Sequence, residues 1–169
     1  MSHRLTQLLV NGGFESGVLA PWTIVNGTAV VTNSKREFEG NFVAVLSPNS
    51  SIQQNVSKGL KEERVYRLTG SLADDNTSSS IDTPENPTTV VTLQFINGKG
   101  NILQTFTKTF NRLTLPEMDE GNYRVFNILA KAPEDTKGAI VKIAIAADGL
   151  VGTEGLVIDE FTLIQENDD

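Results

Sequence analysis

Apolar and polar residues alternate along most of this chain, and no stretch keeps the three-to-four-residue spacing of an amphipathic helix. Between Val65 and Leu72, the side chains of Tyr66, Leu68 and Leu72 share one face, while Arg67, Thr69 and Ser71 share the other. Val90 to Ile96 repeats the pattern, with Val91, Leu93 and Phe95 facing in and Thr92 and Gln94 facing out. Asn97-Gly98 then signals a tight hairpin. The return strand, Leu103 to Phe110, carries Phe106 and Phe110 on one parity and Thr105, Thr107 and Thr109 on the other. Further strands are predicted at Ala29–Thr32, Phe42–Leu46, Ser51–Val56, Tyr123–Ala130, Ala139–Ala146 and Leu156–Ile164. With the β-competent stretch Thr6–Val10 this makes about ten strands, at the spacing of an all-β sandwich or barrel. Ser57 to Glu63 is the one place with a turn of helix in its composition, and it is expected to be a loop leading into Val65.

The opening of the fold is densest in signals. Leu8-Leu9-Val10 feeds Asn11-Gly12-Gly13, where the two glycines permit backbone angles that other residues avoid. Phe14 and Trp22 follow as two large rings expected in the core, with Glu15 held between apolar neighbours. Asn11-Gly12-Gly13-Phe14-Glu15 with Pro21-Trp22-Thr23 resembles the opening of carbohydrate-binding-module-like bacterial jelly rolls. Glu39-Gly40-Asn41-Phe42-Val43-Ala44-Val45 is similar to that family's second-strand segment, and Val157-Ile158-Asp159-Glu160-Phe161-Thr162-Leu163 to its closing strand. The resemblance spans nearly the whole chain and implies an all-β, jelly-roll β-sandwich of two antiparallel sheets, a galactose-binding-like fold.

All 169 residues are expected to form a single domain, with residues 1–8 as an N-terminal arm, 73–89 as a long polar loop and 165–169 as an acidic tail. The arm has two expected uses. It either adds to a neighbouring subunit's sheet or pairs with its own closing strand. The formal net charge of −7 disfavours nucleic acid and anionic membrane as partners. No run of residues approaches a membrane span, so no membrane insertion is expected. The absence of cysteine excludes disulfides and thiolate metal sites. The first residues show no apolar leader segment, and an extracellular, cell-surface or spore-surface location without a visible signal peptide is the expectation, as the resemblance implies.

Catalysis is not expected. The single histidine, His3, lies at the N-terminus, which leaves a nucleophilic triad without a base. Acidic residues cluster in loops, and no pair of carboxylates is marked by spacing for glycoside hydrolysis. The leading expectation is a structural, surface-associated module acting through contacts with itself or other surface proteins. The alternative is a carbohydrate-binding module for a polysaccharide. For that alternative the outward strand positions offer no aromatic stacking platform, so Arg67 and Gln94 in a polar groove, with Tyr123 as the one exposed ring, are the candidate ligand contacts.

The resemblance also implies a structural calcium ion. Its matching donors here are the Gly13 carbonyl, Glu15, the segment around Glu39, and Asp159. Val157, Phe161 and Leu163 share a parity with Asp159, and a carboxylate facing a core needs a partner or a metal. Oxygen donors of this kind suit calcium. The competing expectation is that Asp159 is satisfied by backbone N–H groups or a basic side chain.

Overall fold

The computed structural model describes residues 6–33, 41–74, 88–110, 124–145 and 156–166. Most of the 73–89 loop, residues 1–5 of the arm, the 111–122 connection, Glu39, Tyr123 and the end of the acidic tail lie outside them. Among the described residues there are ten strands: β1 Thr23–Asn26, β2 Ala29–Asn33, β3 Phe42–Leu46, β4 Ser51–Val56, β5 Val65–Asp74, β6 Thr89–Ile96, β7 Ile102–Phe110, β8 Arg124–Lys131, β9 Gly138–Ile145 and β10 Leu156–Gln165. They form two five-stranded sheets, in the order β1-β4-β9-β6-β7 and β2-β3-β10-β5-β8. Every pairing is antiparallel. This is the jelly-roll β-sandwich that the resemblance implies, where the alternation alone allowed a sandwich or a barrel.

The core lies between the sheets. One sheet contributes Ile52, Val91, Leu93, Phe95, Val141 and Ile143; the other contributes Leu46, Tyr66, Leu68, Leu72, Ile158 and Phe161, all buried. Apart from the phase shift between Ile158 and Phe161 in β10, these positions follow the period-two alternation of their strands. Strand β1 was not anticipated. Thr23, Ile24, Val25 and Asn26 are all exposed, so this edge strand carries no burial rhythm, and it is held by its ladder with β4.

The N-terminal segment closes one end of the sandwich from within the same chain. Gln7 bridges Ile164 of β10, and the Leu8 N–H donates to the Leu163 carbonyl at 2.9 Å. Two glutamines fasten it. The Gln7 amide oxygen accepts from the Leu163 and Leu9 N–H groups at 2.7 and 3.1 Å, and its nitrogen donates to the Phe161 carbonyl at 3.1 Å. Gln54, an inward polar residue of β4, accepts from the Val10 N–H at 2.8 Å and donates to its carbonyl at 2.9 Å. One side chain thus completes the second sheet and the other anchors the segment to the first. Gln7→Ala should therefore lower stability by about 2 kcal/mol, because Leu163 N–H and Phe161 C=O lose partners in a half-buried setting. An unchanged urea midpoint would show that the clamp is dispensable.

The opening turn departs from expectation in an informative way. Its left-handed residues are Asn11 (φ 55°) and Phe14 (φ 57°), not the two glycines. Gly12 is needed for closeness: a Cβ there would sit 1.9 Å from the Phe161 carbonyl oxygen. Asn11 organises the following loop, its side-chain nitrogen donating to the Val18 and Ala20 carbonyls at 2.7 and 3.0 Å. The Ala20–Pro21 peptide is cis.

Candidate functional site

The closing strand positions Asp159 differently from its parity in the sequence. The β10–β5 ladder runs from Leu156↔Asp74 to Asp159↔Ser71, then resumes at Thr162↔Thr69. Glu160 and Phe161 together face Gly70, and Glu160 takes φ 50°, so a β-bulge reverses the sides beyond it. Before the bulge Leu156 and Ile158 point into the main core, and Val157 belongs to a second small cluster with Val43 and Ala73. Asp159 alternates with Val157, on the side away from Phe161 and Leu163. Parity carried straight through the bulge is corrected on this point. Asp159 is fully buried, and its Oδ1 accepts from the Glu160 N–H at 2.9 Å.

Glu15 ties the opening turn to β3. Its carboxylate accepts from the Asn41 N–H at 3.0 and 3.1 Å and from the Phe42 N–H at 3.3 Å. Gly13 lies against the Glu160 carboxylate: a Cβ on Gly13 would stand 2.6 Å from Glu160 Oε1. Glu15 and Gly13 are therefore brought together, with Glu160 rather than Asp159 beside the glycine. Glu39 falls outside the described residues. Among the described residues no three acidic or imidazole side chains gather as a metal-holding set. The donor set that the resemblance implies for calcium includes Glu39 and a main-chain carbonyl, so the described side chains carry only part of it. The carboxylate oxygens of Glu15 are used on main-chain N–H groups.

The suggested groove of Arg67 and Gln94 does not form. Arg67 lies on β5 and Gln94 on β6, in different sheets and on opposite outer faces. Arg67 is engaged by the Glu166 carboxylate. Beside it, the Thr69 and Thr162 hydroxyls bond to each other across β5 and β10. Tyr123 lies outside the described residues.

Gln94 instead belongs to a broad polar face. The register across the first sheet aligns Thr23, Gln53, Lys142, Thr92 and Thr107, one residue from each of its strands. At the usual strand spacing this row is about 19 Å wide. A second row runs Asn55, Ile140, Gln94 and Thr105. The Gln94 side chain donates to Thr105 Oγ1 at 3.5 Å. The alternation of Val141, Ile143 and Ile145 puts Lys142 on the outside, as that of Ile52 and Gln54 does for Gln53. Their adjacency was missed because it depends on sheet order.

Beyond the second row the face opens into a cavity of about 530 Å³, lined by Asn55, Ser57, Ile96, Asn97, Lys137 and Ile140 among others. Its rim is rigid. Asn97 Oδ1 accepts from the Lys99 and Asn101 N–H groups at 3.0 and 2.9 Å, and the Lys137 N–H donates to the Ile96 carbonyl at 2.9 Å. Gly100 supplies the left-handed residue of this β6–β7 turn (φ 83°). The result is a strand-wide row of amides, hydroxyls and one ammonium group, leading to a preformed hollow with both polar and apolar walls. Such a surface can hydrogen-bond a polyhydroxylated chain laid across the strands.

No family model matches the chain, and no curated protein matches it in sequence. Solved structures do match. The bacteriophage CBA120 tailspike protein 4 enzymatically active domain superposes with a TM-score of 0.73 at 15% identity, over 95% of this chain but 21% of that one. This chain thus spans about a fifth of that domain. A cyclase from Fischerella sp. TAU gives a TM-score of 0.67 at 15% identity, covering 98% of this chain and 100% of the cyclase. The carbohydrate-binding module TmCBM61, solved with beta-1,4-galactotriose, gives 0.63 at 16% identity, covering 95% of this chain and 99% of the module. These likenesses are of fold, and what they show is that this chain is a jelly-roll β-sandwich.

Proposed function

We propose that this chain is a glycan-binding module whose binding surface is the outer face of the sheet β1-β4-β9-β6-β7. The observation that carries the reading is the five-strand row Thr23, Gln53, Lys142, Thr92 and Thr107. The half-buried strands β4, β9 and β6 hold the middle of the row in place, so a ligand meets donors and acceptors already fixed in position there. No aromatic residue occupies the outward rows, so recognition rests on hydrogen bonds to sugar hydroxyls, direct or through water. Complete-module matches to carbohydrate-binding modules support the same reading over the structural, self-assembling one. Of the two uses expected of the arm, pairing with its own closing strand is the one it makes over Gln7 and Leu8. Binding rather than turnover fits the residues on the face, where Lys142 is the sole titratable group of the two rows.

The experiment is affinity electrophoresis through gels containing neutral and acidic plant and microbial polysaccharides, followed by calorimetry on whichever retards the protein. Gln53→Ala should weaken binding roughly three- to tenfold, the loss of a single hydrogen-bonding amide. Free migration through every gel would refute the reading.

A further inference from the structure

We infer that the ligand of this face is an anionic glycan, one bearing carboxylate or sulfate groups, and that Lys142 and Lys137 are its charge contacts. The inference rests on the glycan-binding reading and specifies its substrate class. The chain is acidic, with 21 Asp and Glu against 14 Lys and Arg. Yet none of β1, β4, β6, β7 and β9 contains a single Asp or Glu. Their charged residues are Lys108 and Lys142 alone. Lys108 lies over the Phe110 ring, 5.9 Å from its centroid. Lys142 stands at the middle of the central row, flanked by Gln53 and Thr92.

The opposite sheet is managed differently. Its Arg67 is tied to Glu166, and Lys131 Nζ lies 3.0 Å from Glu63. Among the described residues, Lys142 and Lys137 have no such carboxylate within ion-pairing distance. Lys142 is half-buried, so the sheet holds its stem and an anion laid on the row meets a positioned charge. Lys137 lines the cavity at the end of the face and is a second cation along the same path. Asp135 is the nearby counter-charge: it lines a smaller hollow beyond Asn97, with Lys99 and Lys137. The acidic remainder of the molecule repels a polyanion at long range. Strands without Asp or Glu, with Lys142 on them and Lys137 at their end, are where such a chain can land.

The test compares one backbone in two charge states. Polygalacturonate and its fully methyl-esterified form are each cast into affinity gels, beside alginate, heparin, galactan and xylan. Polygalacturonate or alginate should retard the protein if the anion is a carboxylate, and heparin if it is a sulfate. The corresponding uncharged glycans should retard it little. Lys142→Gln should weaken binding to the anionic glycan about ten- to a hundredfold, the loss expected for a charge-assisted contact. Lys131→Gln, on the other sheet, should leave binding unchanged, and melting curves should show all variants folded. Raising salt should weaken binding to the wild type and have less effect on Lys142→Gln. Retention by neutral glycans alone, or anionic binding indifferent to Lys142→Gln, overturns this inference while glycan binding stands. Retention by none of the gels overturns both.

Discussion

Gly12→Ala should be among the most damaging single substitutions in this chain, although it adds one methyl group. The new Cβ would lie 1.9 Å from the Phe161 carbonyl oxygen and 2.9 Å from its carbon. These are backbone atoms at the bulge of the closing strand, so no side chain can rotate away. The carbonyl is also the acceptor for the Gln7 amide, and the Phe161 N–H donates to the Gly12 carbonyl at 2.9 Å. Separating the two strands far enough for a methyl group breaks both bonds. We expect a loss on the order of 3 kcal/mol or more, from overpacking at the upper end of its usual range plus the lost hydrogen bonds. Gly12 is not among the left-handed residues, so nothing else argues against alanine. Without the clash, alanine would stabilise by about 0.4–1 kcal/mol through the unfolded chain. Denaturant unfolding of Gly12→Ala beside Gly98→Ala separates the two effects. A Cβ at Gly98 would meet nothing nearer than Lys137 Cγ at 3.7 Å. A Gly12→Ala protein as stable as wild type would mean that the close approach of turn and bulge is not real.

Alternation made most of the sheets legible. The expected Val65–Leu72, Val90–Ile96 and Leu103–Phe110 differ from β5, β6 and β7 by no more than two residues at either end. β5 and β6 each bury one face, and β7 turns Phe106 and Phe110 inward on one parity, so sequence parity and burial coincide. The failures have physical causes. Strand β1 buries neither face and so has no rhythm to detect. In β10 the rhythm is real on both sides of Glu160, but the bulge shifts its phase, and a pattern read straight through puts Asp159 with Phe161. Gly12 and Gly13 were legible as special, but not for the right reason. A glycine kept for a backbone angle and one kept for close approach look alike until the neighbour across the gap is known.

The candidate face was legible only in pieces. Thr92, Gln94, Thr105 and Thr107 were assigned outward from their own strands, and the hairpin at Asn97 made them neighbours. Gln53 and Lys142 join them through the order β4-β9-β6, which depends on pairings between residues far apart in the chain. Without that order Arg67 looked as good a partner for Gln94 as Lys142 does. Local pattern assigns a side chain to the inside or the outside of a sandwich; it does not say which of two outsides.

Trp22→Ala should cost about 3–5 kcal/mol, the usual range for a large aromatic removed from a core. Trp22 is 2% exposed and sits between two other rings. Phe14 lies 6.1 Å away, tilted by 36°, and Phe161 lies 6.0 Å away, edge-on at 82°. The indole N–H donates to the Asn11 carbonyl at 3.1 Å, so the ring joins the opening turn to the bulge that Gly12 also touches. Removing it empties the space where the first turn, β1 and β10 meet. Trp22→Phe should cost less, about 1–2 kcal/mol, because a ring remains and the main loss is the hydrogen bond and part of the volume. Domain stabilities are about 5–15 kcal/mol, so Trp22→Ala can still fold at low temperature, with a much lower denaturant midpoint. Trp22 is the only tryptophan, so circular dichroism rather than intrinsic fluorescence must follow the unfolding. The folded fraction should bind any glycan ligand as the wild type does, because the ring lies inside the sandwich and not on the row through Lys142. A Trp22→Ala protein of undiminished stability that had lost glycan retention would place the indole in the binding site and overturn its role as a core residue.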